Sequence, residues 1–301
     1  MNNARAYLHR RVADGLAHDI RPEVIAFAER LAHQAGAEAV LFYGSNLRTG
    51  SLDGVLDFYL LMPGRQSERV WPRVAYHEWQ SGDMTLRAKT AAMSLDMFKK
   101  ACRGRTLDTT IWTRFVQPSA LAWSRTARTS DKVGAAIADA VLTATGLACA
   151  LGPARGTPEA YWRALFRATY KAELRVEKAG REDTILSANQ DHFNGLLQLG
   201  WNAQGIAFDQ APKGELIPEM TSGNRRRWRN WWRQRRRLGK PLNLLRLAKA
   251  TTTFEGAPHY AAWKIERHTG LRLEVTPFRE KHPLLAAPGV LMALRRHKRW
   301  H

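Results

Sequence analysis

The sequence predicts an α+β fold in which a small mixed sheet near the N-terminus is followed by a mainly helical remainder. Two short apolar segments, 38–43 and 55–62, are rich in strand-forming residues and are separated by Gly, Ser, Asn, Thr and Asp. Polar and apolar residues alternate over 83–91, which predicts a third strand. After residue 94 the apolar residues recur at helical spacing, so the rest of the chain is predicted to be helical.

Helices are predicted on both sides of these strands. An amphipathic segment, 22–35, begins with Pro22, a residue favoured in the first helical turn. Another helix is predicted over 68–79, between the second and third strands. The remaining predicted helices cover 131–151, 157–179, 185–199, 224–238, 242–252, 258–268 and 288–300.

The charge balance indicates a polyanionic partner. The chain has 47 Lys and Arg against 27 Asp and Glu, a formal net charge of +20. Such a field attracts nucleic acid, anionic lipid or nucleotide phosphate. The N-terminus lacks the apolar region of a signal peptide, and the apolar segment 133–151 contains an aspartate, so we predict a buried helix there rather than a membrane span. We therefore expect a cytoplasmic protein.

The two cysteines, Cys102 and Cys149, are far apart and have no metal-site spacing. The sequence therefore supports neither a disulfide framework nor a zinc site.

The strongest chemical signal is a Gly-Ser turn followed by an aspartate in an apolar strand. Gly44 and Ser45 follow the first predicted strand, and Asp57 lies inside the second. Glycine lets backbone N–H groups approach a triphosphate, and the Ser45 hydroxyl adds a donor, as the next residue, Asn46, also can. Asp57 would hold Mg²⁺ against the same phosphates. The pattern predicts a metal-dependent nucleotidyltransferase.

An ordinary turn with a paired surface carboxylate is the alternative interpretation. An aspartate within an apolar strand is costly to bury without a cation, which favours the metal site. Many nucleotidyltransferases have a second acid two residues further on, where this chain has Tyr59. Three explanations remain open: a one-metal site, an acid from another strand, or loss of activity.

The third predicted strand offers candidates for the missing groups. Asp83 and Lys89 share one strand face by the two-residue period. We predict Asp83 as a second catalytic and metal-binding carboxylate and Lys89 as a catalytic phosphate-binding cation. A solvated strand face of mixed charge is the alternative.

Two motifs resemble those of the mitochondrial-type phosphatidate cytidylyltransferases, which make CDP-diacylglycerol from CTP and phosphatidic acid. The family's Tyr-Gly-Ser turn is matched by Tyr43, Gly44 and Ser45, and its Leu-Asp-Phe strand by Leu56, Asp57 and Phe58. The family also has an apolar or aromatic residue at the position of Tyr59, and Asn46 replaces a usual glycine. Arg114, Glu173 and Arg175 match further family positions, which implies that they bind the nucleotide.

The resemblance covers roughly the first two thirds of the chain and implies its organisation. It implies a polymerase-β-type nucleotidyltransferase domain at 1–125 and a helical, winged-helix-like second domain at 126–207. A basic helical C-terminal region at 208–301 follows a composition shift after residue 205, and a linker is predicted at 208–223. The implied cofactor is Mg²⁺, and the implied partners are CTP, phosphatidic acid and the inner face of the cell membrane.

A segment rich in arginine and tryptophan predicts membrane attachment. Trp228, Trp231 and Trp232 share one helical face, with Arg225, Arg229 and Arg233 among the flanking cations. Indoles beside cations are typical of an interfacial helix on anionic lipid. Packing of the tryptophans in the core, or binding of nucleic acid by the arginines, are the alternatives.

Together these patterns predict CTP-dependent cytidylyl transfer to phosphatidic acid. The alternatives are a nucleotidyltransferase acting on RNA or a small molecule, and an inactive module that binds membranes or RNA.

Overall fold

A computed structural model describes residues 3–172, 180–271, 273–278 and 292. The fold is α+β, as predicted, with 58% helix and a mixed five-stranded sheet. The strands are β1 Ala39–Tyr43, β2 Leu56–Met62, β3 Arg73–Ser81, β4 Met84–Ser94, β5 Ser119–Ser124, β6 Phe208–Ala211 and β7 Glu215–Pro218. The helices are α1 Asn3–Leu16, α2 Pro22–Ala35, α3 Ser45–Thr49, α4 Leu95–Cys102, α5 Thr110–Phe115, α6 Ala127–Leu151, α7 Pro158–Ala172, α8 Arg181–Ala188, α9 Gln190–Phe193, α10 Leu196–Gln204, α11 Ser222–Thr253 and α12 Ala257–Thr269.

The main sheet has the strand order β3-β4-β2-β1-β5. Strands β2 and β4 are parallel, and the other neighbouring pairs are antiparallel. Strand β2 is therefore central, with β1 on one side and β4 on the other. This order brings Asp57 next to Tyr43 on β1 and Lys89 on β4.

Alternating side chains of β2 enter two separate cores, because successive residues of a strand point to opposite faces. Phe58 packs with Phe27 and Leu31 of α2. Tyr59 lies on the other face, in a larger core that α1, α4, α5 and α6 help to form. Asp57 shares the Tyr59 face by the two-residue period, so the predicted site lies on the side of the sheet covered by most of the helices.

The structure confirms the three predicted strands near the N-terminus and the helix that begins at Pro22. The helix predicted at 68–79 is wrong, because residues from Arg73 onward form β3 and pair with β4 over its whole length. The aromatic residues of this segment favour a strand, and the turn at Gly82 closes the hairpin with φ 59°. Tertiary pairing thus overrode a weak helical pattern.

The helical remainder is more broken in one place and more continuous in another than predicted. The helix predicted at 185–199 is three short helices, and the predicted linker at 208–223 contains the β6–β7 hairpin, whose Leu216 is buried. In contrast, α11 is a single helix through Pro241. Just before Pro241, Gly239 packs against α7 so closely that an added Cβ would lie 2.5 Å from the Ala172 carbonyl oxygen.

The C-terminal part of the chain returns to the sheet. Arg246 and Lys249 of α11 form ion pairs with Asp108 and Glu68, respectively. The backbone N–H of Tyr76 on β3 donates to the carbonyl of Glu255, at 2.8 Å. Beyond this bridge, α12 lies along the β3–β4 hairpin.

Aromatic and cationic side chains hold α12 in that position. The Tyr260 ring packs against Tyr76 in a tilted arrangement, with ring centroids 5.4 Å apart, and the Arg87 guanidinium carbon lies 5.8 Å from the Trp263 ring centroid. One core contains residues from all three predicted regions, including Leu41, Trp162 and Trp232. The predicted closing helix at 288–300 lies outside the described residues, apart from Met292.

Candidate active site

A tight turn joins β1 to α3 and lies directly against Asp57. Gly44 has φ 91° and ψ −162°, a backbone conformation that residues with a Cβ atom rarely adopt. A Cβ added at Gly44 would lie 3.1 Å from Oδ2 of Asp57. Because Tyr43 and Asp57 are paired across β1 and β2, the carboxylate faces the turn backbone. The turn therefore requires glycine for both its dihedral angles and its closeness to the aspartate.

The negative charge of Asp57 is disfavoured by burial and favoured by two neighbouring cations. Burial raises the pKa of the Asp57 carboxyl, and the positive charges of Lys89 and Arg114 lower it in part. Lys89 is the register partner of Asp57 on the parallel strand β4. A carboxylate held in such surroundings gains from a bound cation, because the cation offsets the cost of desolvation.

Arg114 is positioned by its contact with the residue that precedes the turn. Its guanidinium carbon lies 5.0 Å from the Tyr43 ring centroid, and Nη1 is 3.4 Å from the Tyr43 hydroxyl oxygen. Tyr43 itself packs edge-on against Phe115, the next residue of α5. The stacked geometry fixes a planar cation next to the Gly44 turn, as phosphate recognition by arginine requires.

A cavity of about 310 Å³ opens at this cluster. Its wall includes the predicted residues Gly44, Ser45, Asp57 and Arg114. Tyr43 of the Tyr-Gly-Ser turn also lines it, and residues that were not predicted as site residues complete the wall: Arg48, Thr113, Gln117, Pro118, Tyr170, Ile185 and Asn189. The last three come from α7, α8 and the residue after α8, which are more than 100 residues from Asp57 and carry no motif, so no local signal pointed to them.

Two of the predicted residues have different roles from those expected. The Asn46 side-chain amide donates to the carbonyls of Ser51 and Asp53, at 2.9 and 2.8 Å, so this side chain anchors the loop before β2 rather than facing a nucleotide. Asp83 is exposed in the β3–β4 turn, six residues along β4 from Lys89, about 20 Å at 3.3 Å per residue. The prediction of Asp83 as a second catalytic and metal-binding carboxylate is wrong, because the turn holds it away from Asp57.

Lys89 pairs in register with Asp57 on the neighbouring strand β4, although it is not part of the cavity wall. Glu173 and Arg175 lie outside the described residues. Tyr170, near the end of α7, lines the cavity.

The ligand set for a metal is small in the part of the chain that the structure describes. It contains no group of three His, Cys, Asp or Glu side chains that could hold an ion. The position two residues beyond Asp57 is occupied by Tyr59, which is 0% exposed and packs against Phe98 and Phe115. Mg²⁺ commonly binds through one or two carboxylates, substrate phosphates and water. Asp57 with the phosphates of a nucleotide fits that mode.

The tryptophan face of α11 packs against the protein, with one ring buried and two partly buried, whereas the predicted membrane contact assumed an exposed face. Trp232 is 5% exposed, and Trp228 and Trp231 pack against the main core. Indole atoms of Trp228 and Trp231 would lie 2.4 and 2.6 Å from Cβ atoms added at Gly146 and Gly104, respectively. These glycines create space for the rings, so the tryptophans join α11 to the protein interior.

One arginine of the same helix also serves the interior. Arg235 donates to the Gly104 carbonyl at 2.7 Å, and its guanidinium carbon lies 3.9 Å from the Trp231 ring centroid. Burial lowers the pKa of Arg235 to about 10. The predicted membrane-binding arginines differ from it: Arg229 and Arg233 are exposed, and Arg225 is partly exposed.

Among the described helices, α6 is long and apolar enough to cross a membrane by length and composition. Its most apolar 18-residue window is 78% buried within the protein, where it packs between α1, α7, α10 and α11. The predicted buried helix is therefore confirmed as a core element of this fold.

Comparison of the chain with protein-family models gives no match. Comparison with curated proteins gives no significant match.

Proposed function

We propose that the protein is a nucleotidyltransferase of the polymerase-β type that uses Mg²⁺ and CTP. The observation that carries this proposal is the close packing of the Gly44 turn against Asp57. A Cβ atom added at Gly44 would lie only 3.1 Å from Oδ2 of Asp57. A phosphate chain bound by the turn would lie beside the carboxylate of Asp57, which could hold its metal ion. The helical part at 126–207 corresponds in this proposal to the winged-helix-like second domain.

Each side chain of the cluster has a proposed task. Asp57 would hold Mg²⁺, which when bound would supply charge neutralisation for the triphosphate and the leaving pyrophosphate. The Gly44 backbone and the Ser45 hydroxyl bind phosphate oxygens, and Arg114 and Lys89 supply positive charge. Glu173 and Arg175 are proposed nucleotide-binding residues on the family resemblance alone.

The proposed acceptor is the phosphate group of phosphatidic acid. A phosphate oxygen of the lipid attacks the α-phosphorus of CTP, the bond to the β-phosphate oxygen breaks, and CDP-diacylglycerol and pyrophosphate result. Because a phosphomonoester is largely ionised at neutral pH, the attack needs no strong general base. A reaction that needs no separate general base suits this cavity, in whose described wall Asp57 is the acidic residue.

The proposed location is the inner face of the cell membrane, reached from the cytoplasm. The net charge of +20 supports attraction to anionic lipid, and Arg225, Arg229 and Arg233 present part of that charge on α11. The three tryptophans have no part in this contact, because they pack inside the protein.

A second candidate is nucleotidyl transfer to the end of an RNA, which the same positive charge favours. An inactive binding module is the candidate favoured by Tyr59, which replaces a second acid. The acceptor and the product distinguish the three.

The test is pyrophosphate release from each of the four nucleoside triphosphates, with Mg²⁺ and vesicles containing phosphatidic acid. We expect release with CTP only, and its loss when EDTA removes the metal or when phosphatidylcholine replaces phosphatidic acid. Release with an RNA oligonucleotide but not with lipid would instead support the second candidate. No release with any acceptor would support the inactive module.

A further inference from the structure

A second cavity adjoins the candidate active site. It has a volume of about 460 Å³ and lies between α1, α5, α6 and the α9–α10 segment. Four residues line both this cavity and the one at Asp57: Arg48, Gln117, Pro118 and Asn189. The two cavities are thus neighbours separated by a common wall of side chains, and a ligand that passes this wall would occupy both.

The two cavities differ in chemistry. The wall of the second is largely apolar, with Val12, Leu16, Leu47, Val116 and Leu196 among its buried members. The cavity at Asp57 instead contains the acidic and basic side chains described above. Its volume is within the range of small-molecule sites, about 300–1,000 Å³.

Polar residues also line the second cavity, and some of them join the elements around it. Arg11 donates through Nη2 to the carbonyls of His192 and Asn194, at 2.9 and 2.6 Å, and thereby ties α1 to the segment around α9. His192 in turn bonds through Nε2 to the Val116 carbonyl, at 2.9 Å. Arg48 and His18 are exposed at the rim. The lining therefore includes two arginines, Arg11 and Arg48, and one exposed aspartate, Asp191, around a mainly apolar interior.

We infer that the second cavity holds one acyl chain of the lipid phosphate acceptor, whose phosphate reaches the Asp57 cavity past Arg48. This inference rests on the proposed function and specifies how its acceptor binds. A molecule with a phosphate at one end and a hydrocarbon chain at the other matches the pair of cavities, with Arg48 of the common wall near the phosphate. A polynucleotide does not, because its charged backbone would be desolvated in an apolar cavity.

Gly15 provides a way to fill the second cavity without disturbing its wall. It lies in α1, lines the cavity, and has no heavy atom within 4 Å of an added Cβ. Gly223 in α11 is a matched control, because it is also helical and exposed with open space at the Cβ position, and it does not line the cavity. We therefore compare Gly15→Trp, the smaller Gly15→Leu and Gly223→Trp, each checked for folding by circular dichroism.

The first measurement is binding of a phosphatidic acid with a fluorescent acyl chain, made without CTP. Gly15→Trp should weaken binding about tenfold or more, since pocket contacts of this kind discriminate by about 10–200-fold. Gly15→Leu should have an intermediate effect, and Gly223→Trp should match the wild type. Equal binding by Gly15→Trp and the wild type would overturn the inference, as would absence of binding to the wild type.

The second measurement is CTP-dependent pyrophosphate release with two acceptors. Gly15→Trp should reduce kcat/KM about tenfold with dioleoyl phosphatidic acid. With dihexanoyl phosphatidic acid, kcat/KM should stay within about twofold of the wild-type value, because the shorter chain needs less of the cavity. Equal losses with both acceptors would contradict the inference. If the wild type binds the labelled lipid and Gly15→Trp weakens that binding, but no pyrophosphate is released, the inference stands and the proposed function fails.

Discussion

The turn at 43–45 and the helix α11 were the two most prominent features of the sequence. The structure agrees with the position predicted for the turn and differs from the exposed tryptophan face predicted for α11. The glycine of the turn lies against Asp57, where the spacing predicted it. The tryptophans of α11 pack against the main core, with Trp232 buried and Trp228 and Trp231 partly buried. A turn's conformation depends on adjacent residues, whereas the partner of an apolar helical face is set by the whole fold. Tryptophans at this spacing form an apolar helical face, and such a face can pack either on a lipid bilayer or on the protein core.

The largest effect that tests this difference concerns the stability of the fold. Trp232→Ala should lower the free energy of unfolding by about 3–5 kcal/mol, because it removes a large side chain from the core. Arg233→Ala, at the exposed neighbouring position, should change it by less than about 0.5 kcal/mol. Urea unfolding of both variants measures these values.

Vesicle binding separates the two interpretations of α11 more sharply. Per folded molecule, Trp232→Ala should bind anionic vesicles as the wild type does. A stable Trp232→Ala protein with impaired vesicle binding would show that the indole contacts lipid after all.

A smaller effect concerns the charge of Asp57. Because burial raises the pKa of Asp57 and Lys89 and Arg114 lower it, loss of Lys89 should raise that pKa further. Metal binding requires the carboxylate, so the fall in kcat/KM on the acid side should begin at a higher pH in Lys89→Met. Profiles of kcat/KM against pH for this variant and for Lys132→Met, an exposed control on α6, provide the measurement. A Lys89→Met profile that is lower at every pH but has the same acid limb would limit Lys89 to phosphate binding.

The sequence was most informative where neighbouring residues dictate the conformation. Strands β1, β2 and β4, helix α2 and the cluster of Gly44, Ser45 and Asp57 were predictable from local patterns. The parallel pairing of β2 with β4, which brings Lys89 to Asp57, was not. Asp83 was misjudged because strand period gives the face of a residue but not its distance along the strand. Tyr170, Ile185 and Asn189 were missed because only the packing of α7 and α8 brings them to the cavity.

The C-terminal region illustrates the same limit. Its basic character was evident, yet nothing in the sequence indicated that α11 and α12 return to β3 through Glu255, Tyr260 and Trp263. Such contacts join residues more than 150 positions apart, and single-sequence patterns carry no information about them.

The most direct test of the central claim compares two aspartates that the sequence placed in one site and the structure separates. Pyrophosphate release from CTP should fall at least about 100-fold in Asp57→Asn, the size of loss seen when a main electrostatic contact to the transition state is removed. The fold should be unaffected, because burial already disfavours the charged carboxylate. Asp83→Asn should retain full activity. An active Asp57→Asn protein, or an inactive Asp83→Asn protein, would contradict the assignment of Asp57 and the Gly44 turn as the active site.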